Sequence, residues 1–153
     1  MDRLTTRPSG PHGSVERYKA RLVAKGYSQR PGFDYLPERT FSPTPRLGSI
    51  RSTLARAAIE DRALRSVDIS HAFINGELEE EIYMQQPEGF AVKGKEDFVC
   101  KLKKSLYGLK QAPREWYHKF DTFMKSQGFG QSDTDYCLYN KRVSDGSLLI
   151  LIL

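Results

Sequence analysis

The chain has 153 residues, of which 39% are hydrophobic and 28% are charged, and this length is typical of one domain. The composition excludes a chain that is disordered throughout, and it is too polar for a bundle of membrane helices. No apolar signal segment follows Met1, and the two cysteines form no paired motif. We therefore expect a soluble protein that is not secreted and has no membrane partner.

The net charge of +5 is distributed unevenly along the chain. Residues 1–60 carry 11 lysines and arginines against 5 acids, residues 61–100 carry 4 against 9, and residues 101–153 carry 9 against 5. Basic segments can neutralise phosphates, and an acidic segment between them can hold divalent cations. A solvated acidic loop is the open alternative.

The N-terminal part of the chain divides into a leader and a strand. Residues 1–13 are rich in threonine, proline and glycine, which predicts a flexible leader before a folded domain over residues 14–153. From Val15 apolar and cationic residues alternate, as in a strand that buries one side. Lys19 and Arg21 fall on the same face, so this strand would present a row of cations.

The middle of the chain predicts one helix and three short strands. Apolar residues at helical spacing predict a helix over residues 45–61. Residues 64–69 are typical of a short buried strand that delivers Asp68 near its end. Two further strands are predicted around residues 82–84 and 98–102.

The C-terminal part predicts a helix followed by a hairpin. Pro113 opens the helix and Gly128 ends it, and the strands cover residues 136–142 and 148–153. The six consecutive apolar residues of the last strand favour a central strand covered on both faces. Because a domain boundary seldom falls there, we expect a fragment of a longer domain. The fold class is α+β, with an antiparallel sheet and packed helices.

Four blocks of the sequence carry a resemblance to a known family. They are ERYKARLVAKGY at Glu16–Tyr27, TFSP at Thr40–Pro43, the stretch from VDISHAFING at Val67–Gly76 to QPEGF at Gln86–Phe90, and LKKSLYGLKQAPR at Leu102–Arg114. In this order they resemble the reverse transcriptases of copia-type retrotransposons, and the resemblance covers about residue 13 to residue 153.

The resemblance implies an RNA-directed DNA polymerase with a right-hand fold, of which this chain would hold the fingers and the first part of the palm. Such enzymes extend a DNA primer on an RNA template from deoxynucleoside triphosphates, using two Mg²⁺ ions, with Mn²⁺ as a substitute. The rest of a Pol polyprotein would be a further partner. The parent particles would assemble in the cytoplasm, with the nucleus as an alternative location.

The resemblance also assigns the catalytic residue. Asp68 matches the first metal-binding aspartate of the family. The backbone of Ile69 to Ala72 would approach the triphosphate and Mg²⁺, with Ile69 at the metal. The alternative for Asp68 is an N-cap of a short helical turn that follows it, and the two roles are compatible.

Four further residues match family positions at the incoming nucleotide: Lys19, Arg21, Phe73 and Gln111. Phe73 would be the aromatic gate that excludes a ribose 2′-hydroxyl, with an ordinary core phenylalanine as the alternative. For Lys19 and Arg21 the alternative is a solvated charged face. In the segment around Gln111, helix capping and loop geometry are the alternative explanation for Gly108 and Pro113.

A set of cations in the fourth block is a candidate contact for the nucleic-acid backbone: Lys103, Lys104, Lys110 and Arg114. Surface solubility explains these residues equally well. The family's second metal motif, Tyr-x-Asp-Asp, does not occur in the sequence, so we expect the isolated chain not to polymerise. A non-catalytic remnant that binds RNA or single-stranded DNA is the alternative function.

Overall fold

The computed structural model describes the backbone of residues 5–8 and 15–153, and the side chains from Ala20 onward. Within these residues the fold is α+β, with two α-helices and seven strands in three antiparallel sheets. The elements are β1 (Thr5–Pro8), β2 (Val15–Lys19), α1 (Leu47–Ile59), β3 (Tyr83–Gln85), β4 (Val99–Lys101), α2 (Ala112–Ser126), β5 (Gly130–Gln131), β6 (Leu138–Arg142) and β7 (Leu148–Ile152). None of the helices so described is long and apolar enough to cross a membrane.

The first hairpin consists of β1 and β2, which pair from Thr5 opposite Lys19 to Pro8 opposite Val15. Residues 5–8 thus form a strand inside the segment predicted as a leader, and the remainder of that segment lies outside the described residues. The strand predicted from Val15 stops at Lys19, since residues 20–25 have no strand partner. The Lys19 side chain also lies outside the described part of the chain.

Helix α1 lies within the range that the sequence predicts, but its apolar stripe is largely uncovered. Ala57 is buried, whereas Leu47, Leu54 and Ile59 are exposed. A carboxylate from far along the chain caps the start of this helix, because Asp135 Oδ2 accepts a hydrogen bond of 2.9 Å from the Arg46 backbone N–H.

The strand predicted over residues 64–69 is wrong. This segment has no strand pairing, and Leu64, Val67 and Ile69 are all exposed. An isolated extended segment cannot satisfy its backbone hydrogen bonds or cover its apolar side chains without a neighbouring strand, and none of the described strands pairs with it. Its start is held by Arg62, whose Nη1 donates to the Leu148 carbonyl at 2.7 Å.

Helix α2 confirms the predicted helix from Pro113 and organises two small cores. Its N-terminal end contributes Ala112 to a core with Ala24, Ile82 and Leu109. Its C-terminal half packs through a second group, which consists of Phe120, Met124 and Tyr139. The helix ends before Gly128, where a φ of +78° favours glycine.

The third sheet has the strand order β5-β6-β7, so β7 lies at an edge. The hairpin of β6 and β7 is confirmed, with Leu138 opposite Ile152 and Arg142 opposite Leu148. The expectation of a central, doubly covered last strand is wrong for the described residues. No second strand pairs with its outer edge, and Leu149 remains 46% exposed.

Candidate functional site

A cavity of about 580 Å³ lies between three of the four sequence blocks: the first, the one that begins at Val67 and the last. Its lining consists of Ala20–Leu22, Asp68–His71, Ile74, Leu106 and Tyr107. Three distant parts of the chain thus bring one cation, one carboxylate and an aromatic ring to the same cavity.

The segment that carries Arg21 is held against the fourth block by close backbone contact. The Ala24 backbone N–H donates to the Tyr107 carbonyl at 2.7 Å. Gly26 and Gly108 allow this approach, because a Cβ at Gly26 would collide with the Gly108 carbonyl and a Cβ at Gly108 would collide with the Ala24 carbonyl. Gly108 also has a φ of +93°, which disfavours other residues.

Arg21 is exposed, and its guanidinium carbon lies 5.9 Å from the centroid of the Tyr107 ring. The ring can hold the guanidinium in place by a cation–π interaction while leaving its N–H donors available. A guanidinium presented in this way suits bidentate binding of a phosphate.

Asp68 is exposed and lines the same cavity as Arg21. The chain after it turns sharply, since His71 adopts a left-handed conformation with φ of 59° before the 3-10 turn Ala72–Asn75. Asn75 stabilises this turn by donating from Nδ2 to the His71 carbonyl at 3.2 Å. His71, and not Asp68, therefore occupies the capping position of the turn.

Ile69 and its neighbour Ser70 also line the cavity. Ser70 and His71 belong to the stretch from Ile69 to Ala72 whose backbone the resemblance puts near the triphosphate, and His71 lines the cavity as well.

Phe73 does not line the cavity. Its ring packs edge-on against Tyr107, with centroids 5.3 Å apart, and it covers the core around Ala24 and Ile82. This position matches the core alternative for Phe73. Phe73 contacts the Tyr107 ring, and it is Tyr107 that lines the cavity.

Gln111 is fully buried rather than presented to the cavity. Its Oε1 accepts from Gln29 Nε2 at 3.0 Å, and its own Nε2 donates to the Asp34 carbonyl at 3.2 Å. Gln29 Oε1 in turn accepts from the Lys110 backbone N–H at 2.8 Å. Buried amides must be paired, so these bonds fix the loop over residues 26–35 to the start of α2.

The four candidate backbone cations differ in their surroundings. Lys103 and Lys104 are exposed. Lys110 lies with Nζ 4.8 Å from the Tyr35 ring centroid and donates to its hydroxyl. Arg114 pairs with the buried Glu115 through Nη1 and Oε1 at 3.2 Å, so part of its charge is already used within the fold.

The donor set of the cavity suits part of a magnesium site. Mg²⁺ is commonly held by one or two carboxylates together with substrate phosphates. Asp68 supplies a carboxylate, but no group of three or more His, Cys, Asp and Glu ligands occurs in the described part of the chain. These residues suit one ion shared with a phosphate, and they do not form a two-ion site by themselves.

The structure is thus a small α+β domain with a guanidinium and a carboxylate on one cavity. The family model described as reverse transcriptase (RNA-dependent DNA polymerase) matches residues 10–153. The chain therefore belongs to the reverse transcriptase family, whose members use divalent metal ions, and the resemblance to the copia-type members is confirmed.

The chain is similar to curated polyproteins of several transposons. The chain is 55% identical over 137 residues to a retrovirus-related Pol polyprotein from transposon TNT 1-94 of Nicotiana tabacum, covering 90% of the chain and 10% of that protein. It is 48% identical to the Pol polyprotein from transposon RE2 of Arabidopsis thaliana, over 89% of the chain and 9% of that protein. It is 33% identical to the Ty1-DR4 Gag-Pol polyprotein of Saccharomyces cerevisiae, over 72% of the chain and 6% of that protein. The chain thus spans about a tenth of these plant relatives, and no solved structure matches it.

Proposed function

We propose that the chain forms the fingers and the first part of the palm of an RNA-directed DNA polymerase, with the cavity as its nucleotide site. One observation carries this proposal: Arg21 and Asp68, 47 positions apart in the sequence, line the same cavity beside Tyr107. The described side chains form no salt bridge between the two groups, which leaves both available to a ligand.

Each residue has a defined task in this site. The Arg21 guanidinium binds the triphosphate of an incoming deoxynucleotide, and Tyr107 orients the guanidinium. The Asp68 carboxylate would hold a Mg²⁺ ion, and that ion would supply neutralisation of charge on the phosphoryl group. Phe73 acts on the site by supporting the Tyr107 ring.

Nucleotidyl transfer by two metal ions needs carboxylates that hold the ions about 3.5–4 Å apart. The 153 residues contain no Tyr-x-Asp-Asp motif, so the remaining ligands come from elsewhere in the Pol polyprotein. The chain by itself then binds nucleotide but does not extend a primer. Exposed Lys103 and Lys104 contact the backbone of the RNA template or the DNA primer in the complete enzyme, which acts in cytoplasmic particles.

Isothermal titration of the purified chain with a deoxynucleoside triphosphate and Mg²⁺ tests the site. Arg21→Gln should weaken binding by roughly tenfold to a hundredfold, since a hydrogen bond to a charged group contributes about 1.5–3 kcal/mol. Arg51→Gln, on the exposed side of α1, is the matched control and should bind as the unmodified chain does. Equal affinities for the two variants would refute the assignment of Arg21.

A second function is favoured by two exposed aromatic rings on the loop over residues 26–35. Tyr27 is 82% exposed and Phe33 is 78% exposed, although Gln29 and Gln111 fix the loop in place. The Arg30 guanidinium carbon lies 5.1 Å from the Phe33 centroid. Exposed rings beside a cation suit stacking of unpaired bases, as in a non-catalytic module that binds RNA or single-stranded DNA.

Fluorescence anisotropy with a labelled oligonucleotide separates the two functions. If the chain is a binding module, Tyr27→Ala and Phe33→Ala should each weaken binding by about tenfold, because stacking contributes about 1–3 kcal/mol per base. Phe123→Ala, on an exposed position of α2, serves as the control. Unchanged affinity in both loop variants would remove this second function and leave the nucleotide site untouched.

A further inference from the structure

Two residues other than glycine have a left-handed backbone in the part of the chain that the structure describes. They are Asp61, with a φ of 49°, and His71, with a φ of 59°. We propose that the His71 side chain is a further phosphate-binding group of the cavity, and that its imidazole N–H donates to the triphosphate. This role rests on the proposed function, and it adds a side chain to the backbone stretch that the resemblance puts near the triphosphate.

The conformation of Asp61 is explained by the end of α1. Asp61 directly follows Glu60, which caps the C-terminus of the helix. The Arg62 N–H donates to the Ala57 carbonyl at 2.8 Å, which is the long bond of a Schellman motif. A left-handed residue is common in that motif, so the helix end accounts for Asp61 without a ligand.

His71 has no such explanation, because it precedes a helical turn instead of ending a helix. Asn75 Nδ2 donates to the His71 carbonyl at 3.2 Å, and the Ile74 N–H donates to it at 3.1 Å. Both bonds use the main chain, and a glycine would accept them without the steric cost that a Cβ meets in this conformation. Costs of this kind are concentrated at ligand sites. The backbone therefore tolerates histidine here without requiring it, and a task for the ring accounts for the residue.

The surroundings of His71 favour a phosphate as the ligand. His71 is exposed and lines the cavity, where the other charged side chains are Arg21 and Asp68. Their charges cancel, whereas a triphosphate carries several negative charges, so further donors strengthen its binding. An imidazole has at least one N–H donor whether it is neutral or protonated, and the bonds that His71 makes within the described residues use its carbonyl. A bond from the ring N–H to an anionic oxygen would be charge-assisted.

His71→Gly tests the ring, because glycine keeps the left-handed backbone and removes only the side chain. In isothermal titration of the full chain with Mg²⁺, this variant should bind both a deoxynucleoside triphosphate and inorganic triphosphate about tenfold more weakly, as expected for one lost hydrogen bond to a charged group. Asp61→Gly makes the same kind of substitution outside the cavity lining, so it is the matched control and should bind as the unmodified chain does.

NMR of the unmodified chain supplies a measurement that does not depend on the folding of a variant. Inorganic triphosphate should shift the ring signals of His71 and leave those of His118 in place, since His118 is exposed on α2 and does not line the cavity. Ring signals of His71 that stay in place would overturn the proposal.

Comparison with Arg21→Gln separates this role from the nucleotide site itself. Weaker binding by Arg21→Gln together with full affinity in His71→Gly would overturn the role of His71 and leave the site in place. Full affinity in both variants would overturn both. A loss in His71→Gly for a deoxynucleoside without phosphates, but not for inorganic triphosphate, would also overturn the role, since the ring would then contact the sugar or the base.

Discussion

Glu115 is the buried carboxyl group with the most unfavourable surroundings in the described structure. It is 5% exposed on α2 and has Arg114 as its ion-pair partner. Burial raises the pKa of Glu115, Arg114 and His118 oppose that increase, and Glu79 and Glu80 add to it. Nearby Glu80 Oε1 is buried without a hydrogen-bond partner, so the carboxyl group of Glu115 lies beside a second acid that the fold does not pair at that oxygen.

This environment makes stability depend on pH. The pKa of Glu115 is higher in the folded chain than its usual 4.5, so this carboxyl group contributes most to the free energy of unfolding below pH 4.5. The contribution is lost as pH rises through the raised pKa. Glu115→Gln should flatten this part of the pH dependence and stabilise the chain at neutral pH. Urea unfolding of both proteins between about pH 5 and pH 8 measures the difference. Parallel profiles for the two proteins would contradict the assignment.

The site residues show what the sequence could and could not predict. Arg21 and Asp68 were found from the sequence blocks, and the structure brings both to one cavity. The blocks also selected Gln111, but they could not show that its amide is used up by Gln29 and Asp34. The burial of Gln111 depends on Gln29 and Asp34, which lie 82 and 77 positions away in the sequence. A motif carries no information on such distant partners.

The two roles of Gln111 predict different results. If its amide holds the loop to α2, Gln111→Ala should lower the free energy of unfolding by about 1–3 kcal/mol, since buried partners lose their hydrogen bonds. Gln127→Ala, at an exposed position after α2, is the control. Chemical denaturation together with nucleotide titration separates the roles. Weakened nucleotide binding with unchanged stability would contradict the structural role.

At the scale of elements, the start of α1 depends on Asp135. Its carboxylate accepts hydrogen bonds from the Arg46 and Cys137 backbone N–H groups. The pKa of Asp135 is lowered by the Ser49 hydroxyl first and then by these two N–H groups. A negative group at the N-terminus of a helix also interacts favourably with the helix dipole.

Asp135→Asn should therefore lower the melting temperature near neutral pH, whereas Asp133→Asn, two residues earlier and exposed, should not. The effect should vanish in acid, because a lowered pKa contributes stability above the usual 3.8 that is lost as pH falls through the folded value. Thermal unfolding at neutral and acidic pH measures both points. Equal melting temperatures for the two variants at neutral pH would count against the cap.

Elements with local signals were predictable, and those that need a distant partner were not. Helix α2 has its own proline start, apolar stripe and glycine end, and the hairpin of β6 and β7 has its own turn. Residues 64–69 have a strand-like composition but no described partner strand, so composition alone gave the wrong structure. The cap by Asp135 was not predictable for the same reason, since Arg46 lies 89 positions away.

At the scale of the whole molecule, the exposed apolar residues include three on α1, three in the segment over residues 64–69 and Leu149 on β7. The chain spans about a tenth of its plant relatives, and a longer Pol segment could cover these surfaces. We expect a chain extended by the downstream segment of the tobacco relative to melt at a higher temperature. Hydrogen exchange should show new protection at residues 64–69 in the extended chain. Unchanged exchange at residues 64–69 would argue against a sheet formed between these residues and the added segment.

Primer extension by that extended chain tests the central claim most directly. An RNA template, a DNA primer, deoxynucleoside triphosphates and Mg²⁺ should give extension, and Asp68→Asn should abolish it while Asp97→Asn, an exposed acid elsewhere, leaves it intact. The chain of 153 residues should give none. Extension that survives Asp68→Asn, or robust extension by the short chain, would contradict the account.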